Sequence, residues 1–352
     1  MQKDKLLYTL ILVFLVVLPV AHLTGLIGID TVTLWGRYLC FAIAAIGVDL
    51  VWGYTGIMSM CQAFFFCLGS YGMGMYLTIF NLPEGSAVPQ FMVWNQAESL
   101  PLFWQPFQTF GGAIIATIIA TVGFAMISNF IFRRRIKGVF FAIITQAMAW
   151  AMFLLFSRNE TQLGGTNGLT NFQSFMGLDL RSDVVKLGIY IVTVIVLCAI
   201  YIGAKYLTES KFGKLLVGIR DSESRLRFTG YKVSNFQTAI FVIGALIAMV
   251  AGMLYLPQTG IVTPGKMDVR ASIEMLIWVA LGGRGSLKGA IIGALIVNLL
   301  YSLFTSLIPE AWPYVLGALY VVTVLYLDKG VVGLGKVIAD KLKIKGFKLS
   351  KM

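Results

Sequence analysis

Two carboxylates, Asp49 and Glu274, stand inside long apolar runs of this 352-residue chain, and acids in such surroundings are the first place to look for chemistry. Neither has the company that catalysis needs. Asp49 lies about one turn from the end of its run, where an acid can cap a helix or snorkel to water. Glu274 lies four residues after Arg270, the spacing of an ion pair on one helix face. No nucleophile–base pair accompanies them, and the single histidine, His22, falls in the first apolar run. Cys40, Cys61, Cys67 and Cys198 also fall in apolar runs without a C-x-x-C pair, which reads as packing rather than metal or disulfide chemistry. Gly260 to Lys266 matches the G-x-x-x-x-G-K part of a phosphate loop, but Met267 stands where a Ser or Thr would hold magnesium. These residues argue against an enzyme, and no cofactor or metal is expected on this chain.

What remains inside the runs are amides and hydroxyls, Gln62, Thr145, Gln146 and Asn298. A turn-rich stretch, Gly164-Gly165-Thr166-Asn167-Gly168-Leu169-Thr170, lies between runs. Amides both donate and accept hydrogen bonds, which suits passage of a small neutral solute better than of an ion. Gln62, Gln146 and Asn167 are therefore the expected lining of a path, with Glu274 beside them; helix–helix hydrogen bonds use the same groups.

The elements that must position these groups follow from composition. The chain is 58% hydrophobic and 12% charged, against about 45–50% and about 25% in soluble domains. Ten apolar runs, at 6–28, 34–53, 57–80, 109–132, 138–156, 184–206, 236–256, 271–281, 287–308 and 311–327, predict an all-α polytopic membrane bundle of about ten segments (8–10). It forms a single transmembrane domain over 1–352. The first run mimics a signal peptide but is too long for one, so it reads as an uncleaved span. The run at 271–281 is too short for a full crossing and reads as a half-helix or re-entrant segment. Beside it, Gly285, Gly289 and Gly293 form a ladder that lets helix backbones approach closely.

Charge sets the orientation. With both termini cytoplasmic, 22 of the 28 Lys and Arg residues fall on the inner side, as cytoplasmic loops require. The outer loops are 81–108 and 157–183, the main inner loop is 207–235, and a basic tail occupies 329–352. Positive charge thus belongs to one membrane face, and nucleic acid is not needed to explain it. In the tail, Lys336 to Lys351 alternate basic and apolar residues and are expected on the lipid of the inner leaflet. Within the inner loop, Asp221 can cap a short helix beginning at Ser222, the pairs Asp221–Arg225 and Glu223–Arg227 sit at i, i+4, and Gly230 suits the helix end. Two turns do not hold in water alone, so a protein groove is expected around them.

Several stretches carry a resemblance. Gly53 to Ser59 with Gln62 to Phe65, Gly138 to Ile143 with Thr145, Gly164 to Leu169, and Ile277 to Leu287 resemble permeases of branched-chain amino acid-type ABC importers. Met73 to Leu77, Phe91 to Trp94 with Leu100 to Trp104, and Arg225 to Tyr231 are more similar to the urea-importing branch. Cys61 stands where that family usually has Gly. Leu327-Asp328-Lys329-Gly330 replaces its aromatic-Pro, and Glu223 to Gly230 is one residue longer than the pattern of many importers. The resemblance implies a multi-pass permease of the bacterial inner membrane. Its implied partners are a second homologous permease in a heterodimer, two cytoplasmic ATPase subunits that use ATP and Mg, and an extracytoplasmic solute-binding protein. It implies urea as cargo, with a branched-chain amino acid or short amide as the alternative; an ATP-independent urea channel or secondary carrier is more remote. The inner loop then becomes the element that docks on an ATPase, through Ile219, Arg220, Asp221, Glu223, Arg225, Leu226, Arg227 and Gly230.

Overall fold

The computed structural model describes residues 9, 11–83, 86–93, 99–134, 136, 138–326 and 330–333. The expectation for Lys336 to Lys351 lies outside the described residues. Each of the ten apolar runs contains one helix. They are α1 (Ile11–Leu23, its first half wound as a π-helix), α2 (Ile29–Thr55), α3 (Gln62–Phe80), α4 (Phe110–Arg133) and α5 (Val139–Ser157). After these come α6 (Asp183–Glu209), α7 (Lys211–Phe228), α8 (Val233–Thr259), α9 (Val269–Gly282), α10 (Leu287–Leu307) and α11 (Trp312–Tyr326), of which α7 alone is not an apolar run. Among the described residues, seven helices, α2 to α6, α8 and α10, are long and apolar enough to cross a membrane. The protein is an all-α polytopic membrane protein. At 14 residues, α9 rises about 21 Å, short of the ~30 Å hydrocarbon layer, as the short run implied.

Helices α2, α3 and α8 form the centre, with residues buried on all sides over much of their length. A helix that is apolar all round belongs inside a bundle or in lipid. Small residues bring these three together: a Cβ on Gly252 of α8 would stand 1.7 Å from the Phe66 carbonyl oxygen of α3. Ser70 Oγ donates across the same seam to Gly252 O at 2.9 Å. The glycine ladder serves α9 and α10 in the same way, since a Cβ on Gly293 would meet the Trp278 carbonyl at 2.0 Å. Close backbone approach of this kind replaces hydrophobic burial as the source of cohesion in lipid.

The loops expected on the outer side are tied to each other. Asn81 donates to Ser174 O and accepts from Ser174 N, and Trp104 Nε1 donates to Gln162 O at 3.1 Å. The glycine-rich stretch ends in a strand, β1 (Leu169–Thr170), paired antiparallel with β4 (Ile261–Val262). Between them in sequence, β2 (Ser174–Phe175) and β3 (Leu178–Asp179) make a small hairpin. At Gly168, φ is +68° and a Cβ would lie 1.9 Å from Val262 O, so only glycine lets this loop close over the bundle. The phosphate-loop look-alike is likewise explained locally: Gly260 ends α8 in the left-handed region, and Pro264–Met267 is a 3-10 turn leading to α9.

Candidate functional site: a trench and its inner latch

A cavity of about 1330 Å³ opens between α2, α9, α10 and α11. Its lining on α2 runs from Leu34 to Trp52, a rise of about 27 Å. Its polarity is divided. Arg37, Lys266, Asp268, Arg270 and Glu274 line the half near the start of α2 and α9. The half toward the C-terminal end of α2 is lined by Trp52, Met58 and Met60, none of them ionisable. Between the halves, Phe41 meets Tyr255 and Trp278 with ring centroids 5.1 Å apart in each case, and Phe66 meets Tyr255 at 5.2 Å. These four rings form a collar in the wall.

The outer charges face one another. Glu274 lies in the electrostatic fields of Lys266 and Arg270. The expected Arg270–Glu274 ion pair does not close; at i, i+4 on α9 the base precedes the acid, the weaker order for such a pair. Lys266, on the 3-10 turn, is held above the ordinary lysine value, first by Tyr255, with Glu274 and Tyr301 adding and burial opposing. It therefore keeps its charge at the mouth.

At the inner end of the trench, three elements meet. Arg220 of α7 donates from Nη1 to Gly53 O of α2 at 2.9 Å. Arg284, in the turn between α9 and α10, lies over the Trp52 ring at 4.7 Å and donates to Trp52 O at 3.4 Å. Burial and the like charge of Arg220 push the Arg284 guanidinium down, while Asp49 opposes. Asp49 Oδ1 accepts from Gly285 N at 2.7 Å. This corrects the reading of Asp49 as a snorkelling group: it is fully buried, held where the backbone of the α9–α10 turn reaches it. The latch thus joins the inner loop, the floor of the trench and the short helix α9.

Around the inner loop the geometry differs from expectation in detail. α7 starts well before Asp221, capped by Ser210, whose Oγ accepts from Gly213 N. Ser222 is extended (φ −162°, ψ 87°) and breaks the helix in two, so the second piece starts after Ser222, not at it. The break turns Asp221 away from Arg225, and its carboxylate takes Arg220 Nε at 3.1 Å instead. Glu223 and Arg227 pair as their spacing predicts, with Arg227 Nε to Glu223 Oε1 at 2.9 Å. Gly230 has φ +87° and follows the helix end. Ile219 is buried, Leu226 is half-buried and lies close to Gly218, and Arg225 is exposed. Sequence reasoning gave no weight to Phe228, whose ring is 92% exposed at the end of α7. Its signal was an aromatic three residues after Arg225, hidden because apolar residues at such spacing read as buried.

Of the four residues expected on a path, Glu274 alone lines the trench. Gln62 is buried at the start of α3, with neither amide atom hydrogen-bonded among the described residues. Its neighbour Ala63 donates to Ser272 Oγ of α9. Gln146 is exposed on α5, and Asn167 is exposed in the glycine-rich turn. Thr145 is structural: it accepts from Met60 N at 3.0 Å. Asn298, noted in the sequence among the polar groups, does line the trench.

The family model described as the permease component of a branched-chain amino acid transport system matches residues 31–325. The high-affinity branched-chain amino acid transport system permease protein LivM of Escherichia coli is 22% identical over 312 residues, covering 82% of this chain and 66% of the relative. The chain thus spans just under two thirds of that relative's length. A probable branched-chain amino acid transport permease protein LivM of Methanocaldococcus jannaschii is 23% identical, covering 75% of this chain and 77% of its own. The permease protein BraD of Pseudomonas aeruginosa is also 23% identical, over 72% and 78%. No solved structure matches the chain.

Proposed function

The chain belongs to the family of branched-chain amino acid transport system permease components, and from that premise we propose that it is the membrane-spanning subunit of an ATP-driven importer of urea. It is a multi-pass protein of the bacterial inner membrane. The observation that carries the reading is the hydrogen bond from Arg220, on the exposed inner helix α7, to Gly53 O beside Trp52 at the trench floor. A subunit docked on α7 can pull on the floor of the cavity through this contact. ATP and Mg then belong to two cytoplasmic ATPase subunits, and the other expected partners are a second homologous permease and an extracytoplasmic solute-binding protein.

The cargo is argued from the trench. A zwitterion entering the inner half would leave water with two charges and meet no counter-charge in the lining, at a cost of several kcal/mol per ion. A neutral amide gives up only hydrogen bonds there. Urea therefore suits the lining better than a branched-chain amino acid, the cargo that the relatives' names carry. The alternative keeps one observation: the outer half offers both signs of charge, as an amino acid would need. Uptake of labelled urea and labelled leucine by cells lacking the chain, with and without its restoration, tests the proposal. Restored urea uptake supports it; restored leucine uptake alone transfers the cargo to the alternative.

A further inference from the structure

Three residues in the lining of the trench carry unpaired donors. Tyr38 is 4% exposed and Trp312 is 8% exposed, and both line the cavity. Tyr38 Oη and Trp312 Nε1 have no hydrogen-bond partner among the described residues, and the same holds for the Nε of Arg37, also in the lining. Indole and guanidinium groups only donate, and a phenol can donate. Buried donors in a folded protein are nearly always satisfied, so each such atom asks for a partner. Elsewhere among the described residues the unpaired buried donors, on Gln62, Tyr71 and Thr121, belong to residues off the trench.

We propose that Arg37, Tyr38 and Trp312 form a binding station for the acceptor oxygen of the transported solute, the carbonyl oxygen of urea. The proposal rests on the cargo reading above. Opposite chemistry is present in the same lining. Asn298 donates its Nδ2 to Ala294 O at 2.8 Å, which leaves Oδ1 to accept, and Glu274 offers a carboxylate. A molecule with one acceptor oxygen between N–H donors can satisfy both sets. The station sits above the aromatic collar, because Tyr38 is one turn before Phe41 on α2 and the Trp312 ring meets Tyr301 at 5.1 Å. Solute would be held there before its remaining water is stripped at the rings. The uncharged donors of Tyr38 and Trp312, beside the single charged donor of Arg37, hold it weakly enough to let go, as passage requires.

The test uses the full chain restored to cells that lack it, reading uptake against concentration for urea and for thiourea, whose sulfur is a poor acceptor. Tyr38→Phe removes one donor and little volume, and Trp312→Phe removes one donor together with part of the ring system. Each is expected to raise the half-saturating urea concentration about two- to tenfold and to narrow the preference for urea over thiourea. Membrane levels and copurification with the second permease should stay unchanged. Unchanged uptake, or a loss equal for urea and thiourea, overturns the station. Loss of copurification also overturns it and assigns the donors to the partner permease. If the wild-type chain carries leucine in place of urea, the cargo reading fails by itself. The station is then scored by leucine against leucinol, which lacks the carboxylate, with the same narrowing expected and its absence overturning the proposal. If the chain carries neither solute, both fail.

Discussion

Phe228→Ala is the most direct probe of the inner loop. The ring is 92% exposed, so truncation removes almost no contact within the subunit, and folding and membrane level should not change. In the proposed complex the ring enters an ATPase groove. Moving a Phe side chain from water to an apolar site is worth about 1.5–3 kcal/mol, which corresponds to about 10- to 150-fold in affinity. The permease purified into lipid nanodiscs and titrated with the ATPase subunit should therefore bind at least tenfold more weakly as the alanine variant. Solute-stimulated ATP hydrolysis should fall in parallel and return at high ATPase concentration. Arg225→Glu, on the same exposed face, should act in the same direction without moving stability. Unchanged affinity for Phe228→Ala would refute the reasoning, because a ring that docks cannot be removed without cost. Reduced membrane level would refute it differently, by showing that the ring is buried against the subunit's own surroundings.

Arg220→Ala removes the contact to Gly53 O, so solute-stimulated ATP hydrolysis should persist while uptake per ATP falls several-fold; a proportional loss of both would place Arg220 in docking alone. Gly252→Ala puts a methyl group 1.7 Å from Phe66 O, and overpacking of this kind costs about 1–3 kcal/mol, so thermal unfolding in detergent should start at a distinctly lower temperature than for wild type. Gln146→Leu exchanges an exposed amide on α5 for an apolar residue; uptake measured at equal membrane level should hold if the residue faces lipid and fall if it meets the second permease or the path.

Much of the architecture could be read from the sequence because its causes are local. Ten apolar runs yield ten helices, since run length against bilayer thickness decides a helix before any packing is known. The shortness of α9 and the left-handed Gly230 were visible for the same reason. Pairings failed where a backbone break intervened: Asp221 and Arg225 have helical spacing, but Ser222 interrupts the helix between them. Three of the four expected path residues lie off the trench, because an amide in a span has no local sign of direction. Gln146 and Thr145 are adjacent, yet one faces outward and the other is buried against Met60. The trench is made by Tyr38, Trp278, Asn298 and Trp312, from four helices far apart in sequence, and no spacing rule joins them. Likewise Asp49 looked peripheral because its partner, the Gly285 amide, is 236 residues away.

The reading of this chain as an energised importer stands or falls on accumulation. Proteoliposomes holding the chain, the second permease and the ATPase subunits, with the solute-binding protein and labelled urea outside and ATP within, should concentrate urea above the outside level. Removing ATP, or introducing Arg225→Glu with Phe228→Ala, should stop accumulation. Equilibration of urea to equal concentrations regardless of ATP would contradict the account and make the protein a passive channel.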